Sequence, residues 1–406
     1  MDERFDRPVR RRRVFYIPGF DPYPPRRYRE FYRKEGADQA RYSGYRIALR
    51  GAGPAAWEVD ATIEDQDVSA RVDVLVWSDI VNASMDQGIF ATYLQMVRTA
   101  WIYIGSGALF RLMRLRRGPV IAALYPVAFL MLQLILAATV AGLLGYIGYE
   151  LLPLSLCWIG FVFGLVAAVM LLRAGRRMDN RILAYYLMHD YAFSAGLRGA
   201  YPPALESRLN AFQDQIAAAM ADPDTDEVLV VGHSSGAYLG VSVLADLLRD
   251  GRLGQSHAAV GFLSLGQVVP MVSFLPNADR LRRDLHDLSQ TDALAWVDIT
   301  ALGDGCAFAL CDPVAVSGVA PEAGQRWPLV ISAAFSRTLG AEQWKRLRRA
   351  WFRLHFQYLY ALPQAEDYDY FRVTAGPQTL AARYAERAPS PSTIRKPISG
   401  YRSMSS

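Results

Sequence analysis

The sequence predicts an α/β fold, in which a mostly parallel sheet is flanked by helices and a two-helix transmembrane hairpin is inserted. Apolar runs typical of buried strands alternate with helical patterns on both sides of the insertion, which indicates βαβ units and a parallel sheet. Two stretches without a charged residue, 120–149 and 151–172, each exceed the roughly 20 residues that a helix needs to cross a hydrocarbon core.

The strand-like runs form two groups, one on each side of the insertion. The first group comprises 14–17, 45–49, 57–63 and 72–77, and the second comprises 228–231, 259–265, 295–302 and 329–335. Helical patterns cover 182–193, 205–220 and 279–288. Neither group alone has enough strands for the sheet. We therefore expect one domain built from 1–118 and 174–387 around a hairpin at 119–173. The tail 388–406, rich in Ser, Pro and Arg, is predicted to be disordered.

Arginines on both outer ends of the apolar pair predict its orientation. Four precede the pair and four follow it: Arg111, Arg114, Arg116, Arg117, Arg173, Arg176, Arg177 and Arg181. Because positive residues favour the cytoplasmic side, both termini and the large domain are expected in the cytoplasm, with the turn near Glu150 on the far side. We therefore expect an integral protein of a bacterial inner membrane, with the lipid bilayer as its partner. A buried hairpin inside a large soluble domain is the alternative.

Composition argues against several other classes of protein. Of 406 residues, 52% are hydrophobic and only 20% are charged, and the basic residues behind the net charge of +5 cluster at the membrane flanks. Nucleic-acid binding is therefore not indicated. Cys157, Cys306 and Cys311 lack the spacing of a zinc site or a disulfide framework, and no glycine pattern typical of phosphate or dinucleotide binding occurs. We expect neither a metal nor a cofactor, and the sequence does not indicate an oligomeric state.

The stretch Gly232-His233-Ser234-Ser235-Gly236 carries the strongest indication of chemistry. It follows the apolar run 228–231 and precedes a helical pattern at 237–248, which is the strand–turn–helix context of a nucleophile elbow. Small residues are needed at such a turn because the chain packs closely there, and the helix N-terminus offers N–H groups to an oxyanion. Ser234 is thus a candidate nucleophile. A tight glycine turn with an inert serine is the alternative.

A serine nucleophile needs a base, usually a histidine that a carboxylate orients. The chain has five histidines, and His355 follows the last strand-like run. With its elbow, later acids and late histidine, the chain resembles the α/β-hydrolase superfamily. That resemblance implies the order Ser, acid, His, with His355 as general base and Asp304, in the turn after 295–302, as the acid. Asp312 is the alternative acid. Both aspartates also suit turn capping, and His355 also suits packing within an aromatic helix.

The resemblance also implies two backbone donors for an oxyanion. One is the N–H of Ser235, directly after the nucleophile, and the other is that of Phe20 in the loop after the first strand-like run. In this loop a proline replaces the histidine of the family's His-Gly pair. A plain Pro-Gly turn is the alternative. Further on, the basic aromatic stretch 344–360 suits either an anionic membrane surface or a domain helix.

The function that the resemblance implies is that of a membrane-anchored serine hydrolase, which cleaves an ester or thioester through an acyl-enzyme. The bilayer favours a lipid or acyl substrate, and a small-molecule ester would suit the same chemistry. Transfer of the acyl group to an alcohol instead of water would make the chain an acyltransferase. A non-catalytic membrane scaffold or partner-binding protein with this fold is the alternative from another class.

Overall fold

The computed structural model describes residues 3–405 and is centred on one eight-stranded sheet with the order β2-β3-β4-β1-β5-β6-β7-β8. The strands are β1 (Arg11–Ile17), β2 (Arg46–Gly51), β3 (Ala56–Ile63), β4 (Gln66–Val74), β5 (Glu227–His233), β6 (Ala259–Leu265), β7 (Ala295–Thr300) and β8 (Leu329–Ser332). Each overlaps one of the predicted runs. The largest shift is in β4, which begins and ends earlier than the run 72–77.

Eighteen helices accompany the sheet within the described part of the chain. Before the second half of the sheet come α1 (Arg26–Ser43), α2 (Ser78–Met85), α3 (Ile89–Gly105), α4 (Ala108–Leu115), α5 (Arg117–Leu151), α6 (Trp158–Arg177), α7 (Asp179–Ile182), α8 (Ala184–Ala195) and α9 (Pro203–Met220). After β5 come α10 (Ser235–Arg249), α11 (Val269–Ser273), α12 (Asp279–Gln290), α13 (Pro313–Val316), α14 (Phe335–Thr338), α15 (Ala341–Leu347), α16 (Trp351–His355), α17 (Tyr370–Ala375) and α18 (Leu380–Arg383). Short 3-10 helices cover Glu3–Phe5, Leu253–Gln255 and Gln357–Leu359.

The pairing of β1 with β5 joins the two parts of the chain that the insertion separates. These strands run parallel, from Arg12 beside Glu227 to Ile17 beside Gly232. β5, β6 and β7 are buried along their whole length, as expected for parallel strands covered on both faces. Only the edge formed by β2, β3 and β4 is antiparallel among the described strands. The predicted α/β class with a mostly parallel sheet is thus confirmed.

The hydrophobic core lies on both faces of the sheet. Val228 and Val230 of β5 belong to one cluster, which includes the inner faces of α9, α10 and α12. Leu229 and Val231 belong to a second cluster, which includes residues of α1, α16 and α17. Because successive side chains of a strand point to opposite faces, a run of four apolar residues serves both clusters. β5, the strand that leads to Ser234, is therefore packed on both faces.

α5 and α6 form an antiparallel pair of long apolar helices. Both are long and apolar enough to cross a membrane by length and composition, with a mean hydropathy over an 18-residue window of 2.4 in α5 and 1.9 in α6. Most of their large apolar side chains are exposed. The helices approach closely at small residues, since a Cβ on Gly160 would lie 2.6 Å from the Cα of Gly148. This contact agrees with the small-residue spacing of α6.

The tail did not follow the expectation of disorder. Within 388–405 the N–H of Ser390 donates to the Val330 carbonyl, and the N–H of Ile394 donates to the Leu310 carbonyl. The Ser403 carbonyl accepts from Arg282. Polar composition suggests disorder only when a segment lacks partners, and here exposed backbone groups of the domain supply them. Ser406 lies outside the described residues.

The basic aromatic stretch 344–360 is not one continuous helix. It comprises parts of α15, the short helix α16 and a 3-10 turn. Leu354, His355 and Tyr358 are buried against the domain, whereas Arg348 and Arg349 are exposed. The inward-facing side chains of this stretch therefore belong to the domain core. This agrees with the interpretation of the stretch as part of the domain.

Candidate active site

Ser234 occupies a strained turn between β5 and α10. Its backbone has φ 57° and ψ −119°, a conformation that costs a non-glycine residue on the order of 1–3 kcal/mol and is typical of functional sites. A Cβ on Gly236 would lie 2.0 Å from the Ile17 carbonyl oxygen, and one on Gly232 would lie 2.5 Å from that of Gly236. Both glycines are therefore required by packing. The sheet and helix together hold Ser234 in this conformation.

His355 and Asp304 meet beside this turn, although 51 residues separate them. His355 Nδ1 donates to Asp304 Oδ2 over 2.8 Å. The same oxygen accepts from the Tyr358 hydroxyl at 3.0 Å, and Oδ1 accepts from the N–H of Cys306 at 2.8 Å. Asp304 is 2% exposed. Its carboxylate is thus fixed by three donors. Because Nδ1 of His355 donates to this carboxylate, Nε2 is the ring nitrogen that can accept a proton.

The serine and the imidazole flank the same segment at the end of β6. The N–H of Ser234 donates to the Leu265 carbonyl over 2.9 Å. A Cβ on the adjacent Gly266 would lie 3.4 Å from Cε1 of His355. Within residues 3–405 no hydrogen bond joins Ser234 Oγ to His355, a separation common in unliganded sites where this contact tightens only with substrate. Both side chains line one cavity of about 460 Å³.

The loop after β1 lies against the turn at Ser234. A Cβ on Gly19 would lie 3.0 Å from Cβ of Ser234, so the backbone passes directly beside the serine. Trp77 Nε1 donates to the Pro18 carbonyl at 2.9 Å, and the Tyr186 hydroxyl donates to the Phe20 carbonyl. The loop is therefore anchored through its carbonyls, which leaves its N–H groups available.

The two expected oxyanion donors, Phe20 and Ser235, line the same cavity as Ser234. Within residues 3–405, neither N–H donates to a backbone carbonyl of another element or loop. Ser235 is the first residue of α10, so its N–H has no carbonyl acceptor within the helix. Two free donors beside a serine are the arrangement that stabilises a tetrahedral oxyanion.

Asp312, the alternative acid, has a structural role. Its Oδ1 accepts from the N–H groups of Val314 and Ala315 at the start of α13, and its Oδ2 accepts from Gln325 at 2.9 Å. It is therefore an N-cap. The structure brings Asp304, not Asp312, to the histidine.

His233 has a role that the sequence did not indicate. Its Nε2 donates to the His355 carbonyl over 2.8 Å, and the two rings are 4.9 Å apart. Burial, with a smaller effect of His355, lowers the pKa of His233 to about 3. The ring is therefore neutral, and it fixes the backbone that carries the candidate base. In the sequence, the position of His233 directly before Ser234 is the feature that could have indicated this role.

Asp190 on α8 is a second feature that the sequence did not reveal. It lines the cavity, and burial raises its pKa to about 7, an effect that the charge of His355 opposes. A carboxyl group with such a pKa changes charge near neutral pH. The cavity wall thus carries an acid that can change its charge near neutral pH, separate from the buried Asp304 that is bonded to His355.

Asp304, Cys306 and His355 also offer three ligand atoms within 4.8 Å of one another, which makes them a possible metal site. However, His355 Nδ1 and Asp304 Oδ2 are already joined by a hydrogen bond. Burial raises the pKa of the Cys306 thiol well above its usual value, and a metal would require the thiolate. The donor set therefore suits proton transfer better than metal binding.

Comparisons with protein-family models, curated proteins and solved structures found no match for this chain.

Proposed function

We propose that this chain is a membrane-anchored serine hydrolase of the α/β-hydrolase type, which cleaves an ester or thioester. The observation that carries the proposal is the buried hydrogen bond between His355 and Asp304, at a cavity that also contains Ser234 on a strained turn. A serine, a histidine and an orienting carboxylate in this chain order are what acyl-enzyme chemistry requires.

In the proposed reaction Ser234 Oγ attacks the carbonyl carbon while His355 Nε2 takes the hydroxyl proton. Asp304 holds the ring and stabilises the imidazolium that forms. The N–H groups of Phe20 and Ser235 would bind the oxyanion of the tetrahedral intermediate. The bond to the leaving alcohol or thiol then breaks, and His355 returns the proton to that group. Water, activated by the same histidine, attacks the acyl-serine and releases the acid.

The test is labelling of the full-length protein in detergent with a fluorophosphonate probe, which reacts with activated serines. Wild-type protein is expected to react with one equivalent at Ser234, and Ser234→Ala is expected to lose the label. Ser207→Ala, on the exposed face of α9, is the matched control and should label normally. Folded wild-type protein that takes up no probe would refute the assignment.

Membrane anchoring by α5 and α6 is supported by a second apolar surface next to them. Along one face of α3 the large side chains are exposed, Phe90 by 82% and Trp101 by 78%, together with Leu94, Val97 and Ile104. The Tyr93 hydroxyl of α3 donates to the Leu130 carbonyl of α5 at 3.1 Å. An exposed apolar stripe on a helix packed against an apolar hairpin is expected at a bilayer surface.

We propose that the domain lies on the cytoplasmic side, because arginines flank the hairpin at its domain end. Cys157, at the turn before α6 and partly exposed, is a natural reporter. A membrane-impermeant maleimide added outside intact spheroplasts is expected to modify Cys157, identified by mass spectrometry. Modification of Cys157 only in inside-out vesicles would reverse the topology.

A non-catalytic scaffold is the second candidate, because Ser234 Oγ makes no hydrogen bond to His355 in the described chain. Such a protein would keep the fold and remain unlabelled by the probe. If labelling succeeds, product analysis in water with added alcohol separates a hydrolase from an acyltransferase. A free acid as the main product supports the hydrolase, and an ester supports acyl transfer.

A further inference from the structure

We propose that Arg27 and Arg353 form an anion-binding wall in the cavity, so that the substrate is an acyl ester or thioester carrying a phosphate or similar anionic group. The proposal rests on the function proposed above and names the substrate class of that site. Both arginines line the cavity that contains Ser234 and His355.

The two guanidinium groups are held on one continuous aromatic surface. That of Arg27 lies 3.7 Å from the ring centroid of Tyr23 and 5.2 Å from that of Phe31. The Arg353 guanidinium lies 3.6 Å from the ring centroid of Tyr360. The Phe31 and Tyr360 rings are 5.3 Å apart and connect the two arginines. Stacking fixes the plane of a guanidinium while its N–H groups remain able to bind an anion.

The positive charge of this wall is not neutralised by ion pairs. Neither arginine forms a salt bridge among residues 3–405, and Arg353 donates only to the neutral Gln357, at 3.0 Å. The carboxylate that acts electrostatically on Arg353 is that of Glu35, which accepts from the N–H of Ala361. Half-buried cations without a carboxylate partner are costly unless a ligand supplies the countercharge.

The acids of the cavity are occupied or directed elsewhere. Asp21 accepts from the Tyr28 hydroxyl at 2.5 Å and from the N–H of Tyr23, and it acts on Arg27 electrostatically without forming an ion pair among residues 3–405. Asp179 accepts from the N–H groups of Tyr185 and Tyr186 at 2.8 Å.

The remaining acid, Asp190, interacts electrostatically with His355, not with the arginine wall. The wall therefore keeps its charge for a ligand.

The rest of the cavity fits the apolar part of such a substrate. Phe20, Leu187 and Met271 line it, and so does Leu183, which joins α7 to α8 six residues after the end of α6. An acyl chain can occupy this apolar portion while its anionic group contacts the arginines. Arg353 lies two residues before His355 on α16, so a bound anion would position the ester close to the base. The neighbouring apolar hairpin favours a phospholipid-like molecule as the source of this anionic group.

The experiment compares two thioesters with the same octanoyl group, one with a neutral alcohol-bearing thiol and one with a phosphate-bearing thiol. Full-length protein in detergent is assayed as wild type, Arg27→Gln, Arg353→Gln and the double variant. Loss of a charge-assisted hydrogen bond costs about 1.5–3 kcal/mol, so each single variant should lower kcat/KM for the phosphate substrate by about 10–100-fold. The value for the neutral substrate should change less than about threefold. Arg349→Gln, an exposed residue of the same stretch, is the control and should behave as wild type.

Equal losses of kcat/KM for both substrates would refute the proposal of an arginine wall. The absence of a wild-type preference for the phosphate substrate would refute it as well. Labelling of Ser234 by a neutral fluorophosphonate in the Arg variants keeps this outcome separate from failure of the hydrolase proposal. A direct measurement uses Ser234→Ala, where inorganic phosphate should raise the melting temperature and the double Arg variant should abolish the rise. Hydrolysis of phosphatidylglycerol in mixed micelles, compared with the soluble thioester, distinguishes a lipid phosphate from a free one.

Discussion

Replacement of Asp304 by asparagine tests the proposed mechanism most directly. The carboxylate accepts three hydrogen bonds, from His355, Tyr358 and Cys306. An amide oxygen placed at Oδ2 could still accept from His355 and Tyr358. Its NH2 group would then oppose the N–H of Cys306, and the opposite rotamer would lose both side-chain donors. Asparagine therefore loses the negative charge and at least one hydrogen bond.

The lost charge determines the size of the effect. For a carboxylate and an imidazolium at hydrogen-bond distance, the attraction is about 4–6 kcal/mol at an effective dielectric constant near 20. Part of it is retained by the amide oxygen, so kcat is expected to fall by about 10³–10⁴-fold, in line with the order of magnitude seen for the Asp-to-Asn change in a serine protease triad. Ground-state binding should change little, because this carboxylate contacts the base and not the substrate.

The assay is ester hydrolysis by full-length protein, with active sites counted by fluorophosphonate titration. Asp312→Asn is the matched control, since that carboxylate caps α13. Asparagine caps a helix about as well as aspartate, so this variant is expected to keep its fold and to leave kcat per titrated site within about threefold. The mechanism would be refuted by an Asp304→Asn variant that keeps kcat within tenfold of wild type, or by an equal loss in both variants.

Three further changes test the elbow, the acid loop and the second acid. Gly236→Ala should abolish labelling of Ser234, because its Cβ would lie 2.0 Å from a backbone oxygen, whereas Gly254→Ala, with no atom within 4 Å, should label normally. Tyr358→Phe leaves the N–H of Ala301 without its acceptor and should cost about 1–3 kcal/mol in urea unfolding; an unchanged midpoint would contradict this. Burial raises the pKa of Asp190 from 3.8 to about 7, so the folded chain binds more protons than the unfolded chain in that interval and loses stability as pH rises through it. Asp190→Asn should therefore raise the melting temperature at pH 8 but not at pH 3.5, and equal shifts at both pH values would exclude this origin.

The strands and the turn at Ser234 between β5 and α10 could be predicted because their signals are local. The run from Val228 to Val231 is apolar at every position. A strand that is covered on both faces of the sheet has this pattern. Ser234 lies between that strand and a helical pattern, so its turn follows from the order of neighbouring residues. Asp304 and His355 were placed only by their order along the chain, yet the fold brings them within hydrogen-bond distance.

Features that depend on distant parts of the chain could not be predicted in this way. Polar composition suggested a disordered tail, but the N–H of Ile394 donates to the Leu310 carbonyl, which only the folded domain presents. Asp190 belongs to a segment whose apolar periodicity predicts a helix and says nothing about the cavity that it faces. The contact between His233 and His355 spans 122 residues. In each case the signal is a tertiary contact, not a local pattern.

The apolar hairpin is more closely connected to the candidate site than an independent anchor would be. A Cβ on Gly118, in the first turn of α5, would lie 3.1 Å from the Gly305 carbonyl oxygen. Arg116, directly before α5, donates through Nε to the Ala309 carbonyl at 2.9 Å. The loop that carries Asp304 is therefore held between the end of β7 and the start of an apolar helix. Because close-packed contacts transmit displacement, a shift of α5 would change the position of the carboxylate that orients His355.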